Sequence, residues 1–130
     1  MTAEPKFHAL NLLPVSVSVA LATSPAGYAQ SMDGLATPHL ERHDFPRPGC
    51  AWTAVHDCAT GRSVVVALGD TDGCDGITIA CVLVHEAQHV WQAYCQHVGE
   101  RVPGNEQAAY AVQSIAEYLM REFVRQVEGA

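Results

Sequence analysis

The chain predicts an α+β fold: one small domain, residues 1–130, with an antiparallel sheet of about three strands packed on a central helix and closed by a C-terminal helix. Three observations predict it. Ile77 to Val98 contains no Pro and no internal Gly, and Val82, Val90, Trp91, Tyr94 and Val98 give it an apolar surface to bury. Glu106 to about Val127 repeats Ala109, Val112, Ala116, Leu119, Phe123 and Val127 at intervals of three and four. Ahead of both, β-branched and aromatic runs alternate with turn residues in the manner of a hairpin.

Residues 1–13 carry little signal. Pro14 to Ala22 reads as the first strand, because Val15-Ser16-Val17-Ser18-Val19 alternates with period two. The apolar run from Leu10 to Thr23, followed by Gly27-Tyr28-Ala29, also has the outline of a secretory leader. Lys6 is offset by Glu4 and Pro14 interrupts the run, so the strand is the expectation. The run is too short and too polar to span a membrane. Ser24-Pro25-Ala26 looks like a cap followed by Pro in the first turn, predicting a short helix to about Met32.

Residues 33–49 hold Gly34, Pro38, Pro46, Pro48 and Gly49 and predict a long irregular loop. Cys50 to Asp57 and Arg62 to Leu68 predict a hairpin around Cys58-Ala59-Thr60-Gly61. Asp70 to Gly76 is a polar turn whose acids suit the start of the next helix. It is not an EF-hand loop, since Cys74 and Cys81 stand where that loop needs oxygen ligands. Arg101-Val102-Pro103-Gly104 separates the two long helices, and Asn105 is the expected N-cap of the second.

Composition excludes some classes. The hydrophobic fraction of 48% and charged fraction of 16% are those of a folded domain. A net charge of −7 with only seven scattered Lys and Arg argues against nucleic acid as a partner. The five cysteines are odd in number and contain no C-x-x-C pair. That fits neither a disulfide framework nor a cysteine zinc knuckle. Buried thiols in a reducing cytoplasm are the expectation, with Cys50 and Cys58 pairing only in an exported chain.

The chemistry concentrates in His85-Glu86-Ala87-Gln88-His89, which reads H-E-x-x-H. On a helix the two histidines lie one turn apart on one face, so both imidazoles can reach one metal ion. Glu86 beside them is placed to act as general base on a zinc-bound water. Catalytic zinc usually takes a third protein ligand. Glu106, 17 residues past His89 at the start of the next helix, is the candidate, with Glu100 and Glu117 as fallbacks. His97 is expected to face solvent, Trp91 and Tyr94 to belong to the core, and His39, His43 and His56 to lie on the surface unless one reaches the cleft.

The segment Asn105-Glu106-Gln107-Ala108-Ala109-Tyr110 resembles the gluzincin pattern N-E-x-x-x-D, with Tyr110 where that pattern has an acid. A metzincin would need Gly and His where Gln92 and Cys95 stand. His85 to Phe123 is also similar to small phage- and prophage-encoded proteins that share H-E-x-x-H-V-x-Q followed by E-x-x-A-Y-x-x-Q, matched here by Gln92 and Gln113.

The resemblance implies a minimal zincin-like domain. It implies a zinc metallopeptidase that cleaves a peptide or related amide bond in a bacterial or phage-infected cytoplasm. His85, His89 and Glu106 would be ligands, Glu86 the general base and Tyr110 an assisting group. An extended peptide would pair with a sheet edge, supplied by residues 62–68 or 14–22. The other class left open is a zinc-stabilised, non-catalytic interaction protein on the same scaffold.

Overall fold

Val64 to Leu68 is an unbroken apolar run, and every residue in it is buried. Such a run belongs to a strand covered on both faces. The computed structural model describes residues 3–9, 17–35, 41–58, 61–99 and 104–129, and it gives that run to an inner strand. The elements are β1 (His8–Ala9), β2 (Val17–Ala22), α1 (Pro25–Asp33), β3 (Ala51–Cys58), β4 (Gly61–Leu68), α2 (Gly76–Val98) and α3 (Asn105–Val127).

The four strands form one sheet in the order β1-β2-β4-β3. β1 and β2 are antiparallel, as are β3 and β4, but β2 and β4 run parallel. The sheet is therefore mixed and four-stranded, not antiparallel with about three strands. The physical reason is topological. After β2 the chain passes through α1 to the outer position β3, then turns back into the gap as β4. β3 enters running opposite to β2, and the hairpin reverses the chain once more, so β4 shares the direction of β2. The same order corrects the expected peptide-binding edge. Residues 62–68 and 17–22 lie in inner strands; among the described residues the edges are the two-residue β1 and the eight-residue β3. Residues 14–16 of the expected first strand lie outside the described residues, as do His39 and Glu100.

Period-two alternation sorts the side chains into two layers. Val17, Val19, Leu21, Val64, Val66 and Leu68 join Leu83, Ala87, Val90, Trp91, Tyr94, Ile115 and Leu119 in the core beneath α2 and α3. Ala22 and Val65 face the other way, with Tyr28 and Met32 of α1 and with Phe45 and Trp52. Trp91 and Tyr94 are core residues, as expected, and their rings stack.

The helix ends follow local chemistry. The Ser24 side chain accepts from Gly27 N–H to cap α1, and Asp75 accepts from Thr78 N–H to cap α2. Gly99, at φ 76°, closes α2 with its N–H turned back to the carbonyls of Cys95 and Gln96. The N-cap of α3 is Gly104 rather than Asn105, and no side chain caps that end. Asn105 is already inside the first turn, where its side chain is one residue late for the role.

Buried amide bonds anchor α3 to the sheet. Gln126 Nε2 donates to Leu21 O at 2.8 Å, and Thr23 Oγ1 donates to Gln126 Oε1 at 2.9 Å. No disulfide joins any of the five cysteines, and only Cys95 is buried. Among the described residues no helix is long and apolar enough to cross a membrane.

Candidate metal centre

The H-E-x-x-H segment lies in the middle of α2, where the helix passes under β3. Ala51, Trp52, Thr53 and Val55 of β3 and His85, Glu86, His89, Gln92, Ala93 and Gln96 of α2 line an open cleft of about 430 Å³. Odd-numbered residues of β3 share one face, so Thr53 and Val55 look onto the helix together.

The two histidines converge. Their Nε2 atoms are 3.2 Å apart. Two nitrogens each roughly 2.0–2.1 Å from a tetrahedral ion stand about 3.3–3.4 Å apart, so the pair suits zinc. His89 Nδ1 lies 3.0 Å from Gln92 Oε1. An amide oxygen only accepts, so Nδ1 is the donor and neutral His89 carries its lone pair on Nε2, toward His85. This is how outer partners orient a metal-ligating imidazole. The pair can share either a proton or a cation at that point.

Glu86 turns from the histidine face toward the sheet and is only 4% exposed. Its Oε2 accepts a short hydrogen bond from Thr53 Oγ1 across the 33 residues that separate them. A carboxylate has two acceptor oxygens, so one interaction with Thr53 fixes the group without exhausting it. Arg62 reinforces the β3–α2 junction: it pairs with Asp57 at 2.7 Å and donates to the Ala93 carbonyl at 3.0 Å.

Glu106 and Tyr110 are not brought to this cleft. Both are exposed in the first two turns of α3, Tyr110 at 66%. The grooves between the helices pair Ile79, Ala80, Leu83 and Val84 of α2 with residues of α3. At about 100° per residue, the step from Ala80 or Val84 to His89 is about 140–180° around the helix. The histidines thus point away from the face that α3 covers. Glu117 lines the α2–α3 groove on that far side. Among the described residues no three His, Cys, Asp or Glu side chains are grouped to hold a metal ion. His97 is exposed, as expected, while His56 is buried rather than on the surface.

Two site residues were missing from the roles drawn from sequence. Gln92 stands three residues past His89, a spacing that brings side chains together on a helix. Thr53 had no such signal, because nothing local relates residue 53 to residue 86. Comparison with protein-family models, with curated proteins and with solved structures finds no match to this chain.

Proposed function

We propose that this chain is a metal-dependent hydrolase of peptide or related amide bonds, a minimal zincin-like domain in which His85 and His89 hold zinc and Glu86 is the general base. The observation that carries the reading is the convergence of the two Nε2 atoms at 3.2 Å beside a buried carboxylate held by Thr53. Imidazole donors favour zinc over magnesium or calcium. When bound, zinc supplies Lewis acidity to a carbonyl oxygen and lowers the pKa of water at the site.

The chain's own residues do the rest. Gln92 holds the His89 ring in its ligating tautomer. Thr53 holds the Glu86 carboxylate at the floor of the cleft. From there Glu86 takes the proton of the attacking water and returns it to the leaving amine. The free edge of β3 offers backbone N–H and C=O groups along the cleft, so an extended peptide can add to the sheet as a fifth strand. Glu106 is the third ligand that the sequence resemblance implies. Its place on the far helix makes that assignment the part of the reading to be measured first.

The test is zinc content together with hydrolysis of a fluorescent peptide library. Wild type binds one zinc and cleaves. Glu86→Gln keeps the zinc and loses at least 100-fold in rate, the usual scale of a general base. His85→Ala loses the metal. Zinc retained at full occupancy in Glu106→Ala removes Glu106 from the ligand set. Cleavage that survives in Glu86→Gln, or a wild type without metal, overturns the proposal. Bound zinc with no cleavage in any library selects the non-catalytic reading.

A further inference from the structure

The first half of α2 is apolar on more than the face it buries. Residues 76–84 carry no charge, and Thr78 and Cys81 hold the only heteroatoms in their side chains. Of this stretch only Leu83 is buried. A helix that is apolar all round is ordinarily covered all round. Here Ile77 is 79% exposed and Val84 44%. At about 100° per residue, Ile77, Ala80 and Val84 fall within about 60° of one another around the helix. With α3 they border a groove of two open hollows, about 420 and 640 Å³, that meet at Met120. Phe123, Val124 and Val127 line the first hollow, and Ala109, Val112 and Ala116 the second. From Ala109 to Val127 the groove follows α3 for about 27 Å, the length of about five helical turns.

The rim of the groove is acidic. Asp70, Asp72 and Asp75 flank the lining residues Thr71 and Cys74, and Glu128 lines the first hollow. All four acids are exposed. Residues 63–100 contain no Lys or Arg to offset them. Arg121 lines the second hollow, but it is paired with Glu117 at 3.3 Å.

We propose that the groove between α2 and α3 receives an amphipathic, basic helix of a partner protein. Its apolar face rests on Ile77, Val84, Met120 and Val124, and its Lys and Arg side chains reach the acids at the rim. The walls decide for a helix. They are apolar side chains, against which an extended peptide would bury unpaired N–H and C=O groups, whereas a helix bonds its own. Charge decides between the remaining occupants. A second copy brings the same acids and its own net charge of −7 to the contact. An anionic lipid surface is repelled likewise. The groove lies across α2 from the histidine cleft, so this inference stands whether or not the chain is a hydrolase.

The experiment titrates the full chain into a fluorescein-labelled helical peptide of about 18 residues, matched to the length of the groove. The peptide carries Leu at three-and-four spacing with Lys and Arg elsewhere, and a twin carries Glu in place of the Lys and Arg. By anisotropy the basic peptide binds at least 10-fold tighter than its twin, and its affinity falls as salt rises. Ile77→Asn and Val84→Asn each weaken it by about 10-fold, the size of losing one buried aliphatic side chain. Val124→Asn repeats that test from the facing helix. Asp72→Asn combined with Glu128→Gln weakens binding and flattens its salt dependence. Every one of these replaces an exposed side chain, and circular dichroism checks that the fold is kept. The proposal is overturned if neither peptide binds, if the two bind alike, or if the three Asn variants at apolar positions leave the affinity of the basic peptide unchanged. A wild type that sediments as a dimer, and as a monomer once Val84→Asn is made, gives the face to a second copy and overturns it as well.

Discussion

Gln92 and Thr53 divide the work of positioning the candidate centre, and the two make separable predictions. Gln92 bonds the His89 ring at 3.0 Å, so on the proposed reading its loss frees a ligand ring without disturbing the base. Gln92→Ala should weaken zinc by about 10–100-fold, the usual effect of losing a partner behind a metal ligand. Competition with a chromogenic chelator measures this. Thr53 touches Glu86, so Thr53→Val should leave zinc affinity alone and lower kcat by about 10–100-fold, with Thr53→Ser restoring most of it. If the two substitutions affect metal and rate together, the division of roles is wrong. The helix spacing made His85, Glu86 and His89 legible in the sequence, and it also contained Gln92 at the third position on. Thr53 was not legible, since its meeting with Glu86 depends on how a hairpin docks on a helix. Glu106 was assigned from its place 17 residues past His89 and from motif resemblance, and both carry spacing along the chain but not the face of α2 that α3 covers.

The elements themselves were largely legible because their signals are local. Ser24 before Pro25, the Pro-free run of α2 and the three-and-four spacing of α3 each act within a turn or two. The β3–β4 hairpin was visible for the same reason. The parallel pairing of β2 with β4 was not, since it joins residues such as Ser18 and Ser63, 45 apart. Alternation says which residues share a face and nothing about which strand lies alongside. A further non-local constraint falls on Gly69, just past β4. A Cβ added there would stand 2.1 Å from the Arg47 carbonyl oxygen, against backbone that has no flexible end to yield. Gly69→Ala should therefore cost about 3 kcal/mol or more, at the upper end of overpacking penalties. Urea unfolding followed by circular dichroism checks it. An alanine variant within about 0.5 kcal/mol of wild type, as an ordinary surface substitution would be, shows that the 47–49 segment moves freely away.

At the scale of the whole molecule, acid should act on the fold through a buried carboxylate. The response centres on Glu122, which is 4% exposed on α3. Burial alone would raise its pKa. Hydrogen bonds from Arg125 and Gln126, with the charges of Arg125 and Lys6, outweigh burial and hold it below the ordinary carboxylate value. The unfolded chain then binds more protons than the native one below the unfolded value, near 4.3 for a glutamate. The stability that Glu122 contributes is therefore present above that pH and lost as pH falls through the lower native value. The loss should spread because the partners of Glu122 tie three parts of the fold. Arg125 also donates to the Glu4 carbonyl at 2.6 Å, and Gln126 to the Leu21 carbonyl of β2 at 2.8 Å. A proton on Glu122 loosens α3 from the N-terminal segment and the sheet together. Glu122→Gln should cost about 1.5–3 kcal/mol at pH 7, the scale of hydrogen bonds to a charged group, and should flatten the fall in stability between pH 5 and pH 3. Urea midpoints across that range, for the variant beside wild type, decide it. Parallel curves for the two proteins would mean that some other carboxylate carries the acid limb.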